Sequence, residues 1–278
     1  MHRFLAFLLT VCLAGQASAQ QAANPWATIP RPPRAASGPY DAQAERQLLD
    51  LTNQARAEAG LAPLTSDDGL TRAARKHSAL MASAKQLSHD LPGEPALPQR
   101  LAATSTLRLS AEGENVGFAP NAAEAHRGFM HSPHHRENLL SPDYNVVGFG
   151  VVHDGNMIYV TEDFGHSLPN YSVQQTEDLV AGSVSRSRRD ASLTALQRTD
   201  GRAAESAACT MAQADSLRTP ALKARYVVSY TSLQPVELPD GAAQPVHDSA
   251  IRSFAVGACY ARTHTYPNGA NWIVLLFY

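Results

Sequence analysis

Imidazoles and a carboxylate recur in three short, separate segments of this chain: Ser88-His89, Gly113-Glu114-Asn115, and Ser132-Pro133-His134-His135-Arg136-Glu137-Asn138. Brought together by a fold, these side-chain types bind a divalent metal or carry acid/base chemistry. His135 falls near the third position of a helix that Pro133 opens. Unpaired N–H groups and the positive dipole end disfavour a protonated ring there, and a neutral imidazole is the form that ligates metal. Gly113 and Gly117 would let the chain turn sharply around Glu114 and bring its carboxylate inward. The plainer reading of each residue is a hydrogen-bonded structural histidine or a surface glutamate, and it is preferred for His126, His131 and His134.

Those segments need elements to hold them. Ala44, Leu48, Leu51, Ala55 and Ala59 recur at helical spacing, with Gly60 as the stop, so the ordered domain is expected to start near Asp41. Asp67 and Asp68 can cap a second helix in which Leu70, Ala73, Ala74, His77 and Met81 share a face. A third helix is expected over Ala122–Met130. A fourth follows Ser132-Pro133, with Ser at the N-cap and Pro at the first helical position, and runs through Asn138 to Leu140. On this reading four helical segments precede any strand. Val146–Val152 and Met157–Thr161 flank His153-Asp154-Gly155-Asn156 and read as a β-hairpin, after which the polar stretch Leu168–Gln175 ends the first domain.

The chain has 278 residues, 44% hydrophobic and 17% charged, enough to bury a core in one or two domains. Lys and Arg number 23 against 25 Asp and Glu, so no basic field draws nucleic acid. Residues 1–19 read as a signal peptide: His2 and Arg3, an apolar run over Phe4–Ala14, and Ala17-Ser18-Ala19 as the cleavage site, which leaves Gln20 as the mature start. Val11 ahead of Cys12 argues against lipid attachment. Residues 20–40 are a proline-dense leader, and no transmembrane segment is expected once the signal is removed. Cys209 and Cys259 then remain as a pair in an exported chain, which points to a disulfide, with two separate buried thiols as the other reading.

The second half, residues 168–278, echoes the first. A shift of 132 residues aligns Glu45 with Glu177, Arg56 with Arg188, Leu61 with Leu193, Leu64 with Leu196 and Asp68-Gly69 with Asp200-Gly201. Phe254–Cys259, Pro267-Asn268-Gly269 and Trp272–Phe277 repeat the order of the earlier hairpin. Either the half is a divergent duplicate or it is an unrelated small α+β domain. It keeps no Ser-His, Gly-Glu-Asn or His-Arg motif.

The ordered set LTNQARAEAGLAPL, LTRAARKHSALMA, LSH, GEN, HSPHHRENLL, VGFGV and VTEDFG resembles the bacterial branch of the CAP superfamily, the cysteine-rich secretory, antigen 5 and pathogenesis-related proteins. It covers about residues 42–167, nearly all of the first domain, residues 41–167. The resemblance implies an SCP-like α+β fold, a three-layer α/β/α sandwich with an open cleft, followed here by a second, smaller α+β domain. It implies that His89, Glu114 and His135 line the cleft and can hold zinc or another divalent metal. His134 stands where the family has glycine, and Glu162 where bacterial members commonly have glutamine. The second cleft carboxylate of eukaryotic members has no secure counterpart, with Glu162 and Glu124 as substitutes.

The resulting expectation is an exported protein, periplasmic or extracellular. Its cleft would bind a divalent metal, a small molecule, a lipid or a peptide-like ligand, without established catalysis. The rival is a metal-assisted hydrolase in which His89 and His135 hold zinc and Glu114 orients or deprotonates water. No His-Glu-x-x-His or Gly-x-Ser-x-Gly motif supports it.

Overall fold

The computed structural model describes residues 40–278. The signal peptide, its cleavage at Ala19 and Gln20, and the leader up to residue 39 lie outside the described residues. The first helix, α1 (Ala42–Glu58), starts where expected: Asp41 caps it by accepting from the backbone N–H groups of Gln43 and Ala44, and Gly60 follows its end at φ 73°. β1 (Thr65–Ser66) leads into α2 (Asp68–Ala84), capped by Asp67. Next come α3 (Leu97–Thr104), β2 (Arg108–Ala119), α4 (Ala122–His131) and α5 (Pro133–Leu139). β3 (Val146–Asp154) and β4 (Met157–Leu168) form the expected hairpin, with Gly155 at φ 64° in the turn.

Two expectations fail here. Strands β1 and β2 precede α4, so the helices are not all ahead of the strands. Glu114 also lies within β2 rather than in a turn, paired across the ladder with Asp163 of β4. The glycines around it answer a packing demand instead. A Cβ on Gly113 would stand 2.4 Å from the Tyr144 hydroxyl, and one on Gly117 would stand 2.7 Å from the Phe129 ring. Buried along most of its length, β2 lacks the polar/apolar alternation that marks a half-buried strand. The short helix α3 was not anticipated at all.

The strands order as β1-β3-β4-β2, leaving β2 at an edge. α2 lies so close on one face that a Cβ on Gly148 or Gly150 would come within 2.2 Å of its backbone. Phe129 of α4 packs on the other face, where α1 reaches α5 through Arg56, whose guanidinium donates to the carbonyls of Ala62, Leu139, Ser141 and Tyr144. This is the three-layer sandwich.

The second half is built on the same plan from α6 (Val173–Asp190), β5 (Gln197–Arg198), α7 (Arg202–Ala214), β6 (Tyr226–Ser232), α8 (Ala243–His247), β7 (Ser253–Ala261) and β8 (Ala270–Phe277). Its sheet runs β5-β7-β8-β6, position for position the order of the first. α7 packs on one face against Ala255, Trp272, Val274 and Leu276. α6 and α8 pack on the other against Phe254, Val256, Ile273 and Leu275. Arg188 repeats Arg56, donating to the carbonyls of Thr194, Val246 and Asp248. Glu45 and Glu177 each accept from a central-strand N–H, of Val151 and Ala258. One aligned pair needs correction. Ala74 sits over Gly150 and Ala204 over Gly257, and the left-handed caps are Lys85 and Asp215, so α7 is offset by two residues from the alignment that matched Asp68-Gly69 with Asp200-Gly201. Cys209 of α7 and Cys259 of β7 form the disulfide, with Cα atoms 5.1 Å apart.

Candidate functional site

The site is built outward from Glu114 on the open edge of the first sheet. Its Oε1 accepts from Nδ1 of His89 at 2.8 Å, and its Oε2 accepts from Arg100 of α3 at 2.6 Å. Arg100 also pairs with Glu94 at 3.3 Å. His77, fully buried in α2, bonds Glu94 through Nδ1 at 2.8 Å and the Ser88 carbonyl through Nε2 at 2.9 Å. The loop that carries His89 is thereby tied down at Ser88 and Glu94, one on either side of it. Beneath Glu114 lies Asp163, fully buried, its carboxyl pushed well above the usual range by burial and by the adjoining Glu114 charge. Both causes favour its protonated form, which can donate to the adjoining Glu114 carboxylate.

On the opposite face of the same strand, Asn115 donates to Oε2 of Glu162 at 2.9 Å and to the His135 carbonyl at 3.1 Å. Asn138 donates to Oδ1 of Asn115 and to the Glu114 carbonyl. The Gly-Glu-Asn segment is therefore gripped from both faces. Glu162 is fully buried with Oε1 unpartnered, and burial pushes its pKa up to about 8. The His135 ring packs edge-on against Phe129 with centroids 5.2 Å apart, and its buried Nδ1 has no partner. Burial holds this imidazole below the ordinary histidine range, helped by the proximity of His89 and His134. It is neutral, as its helix position suggested, but burial is the first cause.

Of the residues singled out by sequence, His89, Glu114 and His135 come together around the edge of β2. His89 is 54% exposed at the rim. His134 is 95% exposed and faces Glu137. Glu124 pairs with Arg127 on the outer surface of α4 and supplies nothing to the cleft. Glu162 lies under the site, bound to Asn115. The carboxyls that adjoin the cleft are Asp163 and Glu94, and neither they nor Arg100 and His77 were picked out as site residues. His77 shares the buried stripe of α2 with Leu70, Ala74 and Met81, and a histidine on that stripe was the available signal.

With both oxygens engaged, Glu114 backs the His89 ring rather than offering itself as a ligand. Among the described residues no group of three or more His, Cys, Asp or Glu side chains is arranged to hold a metal ion. The donors that remain are the two imidazoles.

Residues 49–174 match the family model described as CAP, the cysteine-rich secretory protein family. The uncharacterized protein YkwD of Bacillus subtilis (strain 168) is similar, 29% identical over 114 residues, covering 41% of this chain and 44% of that one. The uncharacterized membrane protein YlbC of the same strain is 34% identical over 125 residues, covering 44% of this chain and 34% of that one. The chain thus spans less than half the length of either relative. Among solved structures, an extracellular protein containing an SCP domain from Bacillus anthracis str. Ames shares 27% identity at a TM-score of 0.42, over 47% of this chain and 45% of that one. Na-ASP-1 shares 8% identity at a TM-score of 0.49, over 84% of this chain and 89% of that one.

Proposed function

Residues 49–174 being a bacterial CAP-superfamily domain, we propose that this is an exported binding protein whose cleft takes a divalent cation such as zinc on His89 and His135, without catalysis. The observation that carries the reading is the chain His89–Glu114–Arg100. A carboxylate that accepts from one ring nitrogen fixes the tautomer and turns the other nitrogen outward as a lone pair, the usual backing of a metal-binding histidine. His135, held neutral by burial, is the second donor. Two imidazoles fit an open site of moderate affinity rather than a closed structural one. A bound cation would supply a Lewis-acidic position for a carboxylate or carbonyl of a small-molecule, lipid or peptide-like ligand.

The hydrolase reading asks Glu114 to take a proton from water, and its oxygens are already given to His89 and Arg100. That favours binding. No helix among the described residues is long and apolar enough to cross a membrane. Zinc titration of the full chain by calorimetry tests the assignment. One site is expected, lost in the His89→Ala/His135→Ala variant, and undiminished zinc uptake by that variant would overturn the cleft. Hydrolysis of a peptide and ester panel that vanishes in Glu114→Gln would replace binding by catalysis.

A further inference from the structure

A groove of about 520 Å³ lies between the two halves, away from the His89 and His135 rings, within the volume range of ligand sites. One wall is the start of α3 and the first residues of β2. The other is the 264–269 turn of the second hairpin together with Leu233. Glu112 lines it, two residues before Glu114 on β2. Its half-buried carboxylate accepts from Nδ2 of Asn268 at 2.8 Å, a bond between residues 156 apart in sequence.

Among the described residues, that amide is the only group that favours the charge. Burial pushes the Glu112 pKa up, and no cation offsets it. The nearby guanidiniums are committed elsewhere. Arg108 lies 3.7 Å over the Tyr260 ring and donates to the Tyr171 carbonyl, while Arg262 donates to the carbonyls of Ala102 and Leu107. Of the other titratable groups on the groove, Tyr266 shares a hydrogen bond with the Thr231 hydroxyl and His264 lies by Asp215, which is itself bonded to Thr263 and Thr265. A carboxylate half out of water without a counter-charge is costly, and a ligand cation relieves that cost.

The rest of the groove suits an extended chain. The β2–β4 register jumps between Leu109 and Glu112, so Ser110 and Ala111 have no partner residue on β4 and face the groove. Pro98, Pro267 and Leu233 supply apolar walls, and Gln99 supplies an amide. We propose that this groove is a second binding site, separate from the cleft, for an extended peptide segment that carries an arginine or lysine, with the side-chain cation on Glu112 and the flanking residues against the prolines.

The test is calorimetry of the full chain with acetyl-Pro-Arg-Pro-amide and its norleucine counterpart. The arginine peptide binds the unaltered chain, and Glu112→Gln, which keeps an oxygen for Asn268, weakens it about tenfold or more. Leu233→Lys, on the exposed wall, places a competing cation beside Glu112 and weakens it as well. The norleucine peptide binds poorly to every variant. His89→Ala/His135→Ala binds the arginine peptide as the unaltered chain does, whatever becomes of zinc. Equal affinity of Glu112→Gln, equal affinity for norleucine, or no binding by the unaltered chain would each overturn the proposal.

Discussion

The two sheets follow one plan and differ in what they bury. Opposite Gly148 and Phe149 of β3 stand Asp163 and Glu162, whereas opposite Ala255 and Val256 of β7 stand Leu276 and Leu275. One strand further out, Asp163 and Glu162 pair with Glu114 and Asn115, while Leu276 and Leu275 pair with Val227 and Val228. Three residues past the alanine that covers the central glycine stands His77 in the first half and Ala207 in the second. Asp163, Glu162, Glu114, Asn115 and His77 of the buried polar cluster thus have aliphatic counterparts. Buried ionic groups are commonly no more stabilising than apolar residues of similar size. The second sheet packs without them, so this sheet plan does not itself require them. The shared parts, Arg56 and Arg188 or Glu45 and Glu177, sit away from the cleft and satisfy backbone groups that either copy must bury.

The largest expected effect tests that shared part. Arg56→Met and Arg188→Met each leave several buried carbonyls without donors and cost about 4 kcal/mol in urea denaturation. Closely similar losses uphold the common plan, and a loss confined to one half breaks it. Glu114→Val copies the second half into the first but takes from Arg100 its shorter ion pair and leaves only Glu94, at a cost of about 3 kcal/mol. Adding Arg100→Leu restores at least half of that, while zinc uptake stays impaired. A double variant no more stable than Glu114→Val would mean the cluster is structural after all.

The disulfide belongs to the second half alone. Cys209→Ala/Cys259→Ala is expected to lower stability by about 2–3 kcal/mol and to leave zinc uptake unchanged. The smallest effect, taken per pH unit, is a pH slope. Glu162 has its pKa raised in the folded chain to about 8 from the ordinary 4.5, so the folded state holds the extra proton between those values. Its contribution is complete below about pH 4.5 and fades as pH rises through 8, with a slope of about 1 kcal/mol per pH unit. Glu162→Gln should flatten that slope, measured as unfolding free energy across the range. A slope unchanged in Glu162→Gln would assign it elsewhere.

Local signals carried much of the fold. The cap at Asp67, the Ser132-Pro133 start and both hairpins are written in a few adjacent residues, because their causes are local. β2 was illegible for the opposite reason. Its glycines make room for Tyr144 and Phe129, partners that only the folded chain brings near. His89, Glu114 and His135 were named through an ordered motif set. Asp163, Arg100 and Glu94 were not, since a residue opposite on a ladder or one helix away leaves no mark of spacing. The repeat was visible where both copies share a task and vanished where one traded carboxylates for leucines.

The clamp that Arg262 places on the carbonyls of Ala102 and Leu107 also has a bearing on assembly. It holds the link between the helix bearing Arg100 and the strand bearing Glu114 by a residue made some 160 positions later. A chain that emerges from its N-terminus can close its early hairpins at once. The scaffold of its binding edge is clamped only when the far hairpin arrives, so a nascent or truncated chain would carry the motif residues without the last brace that fixes them.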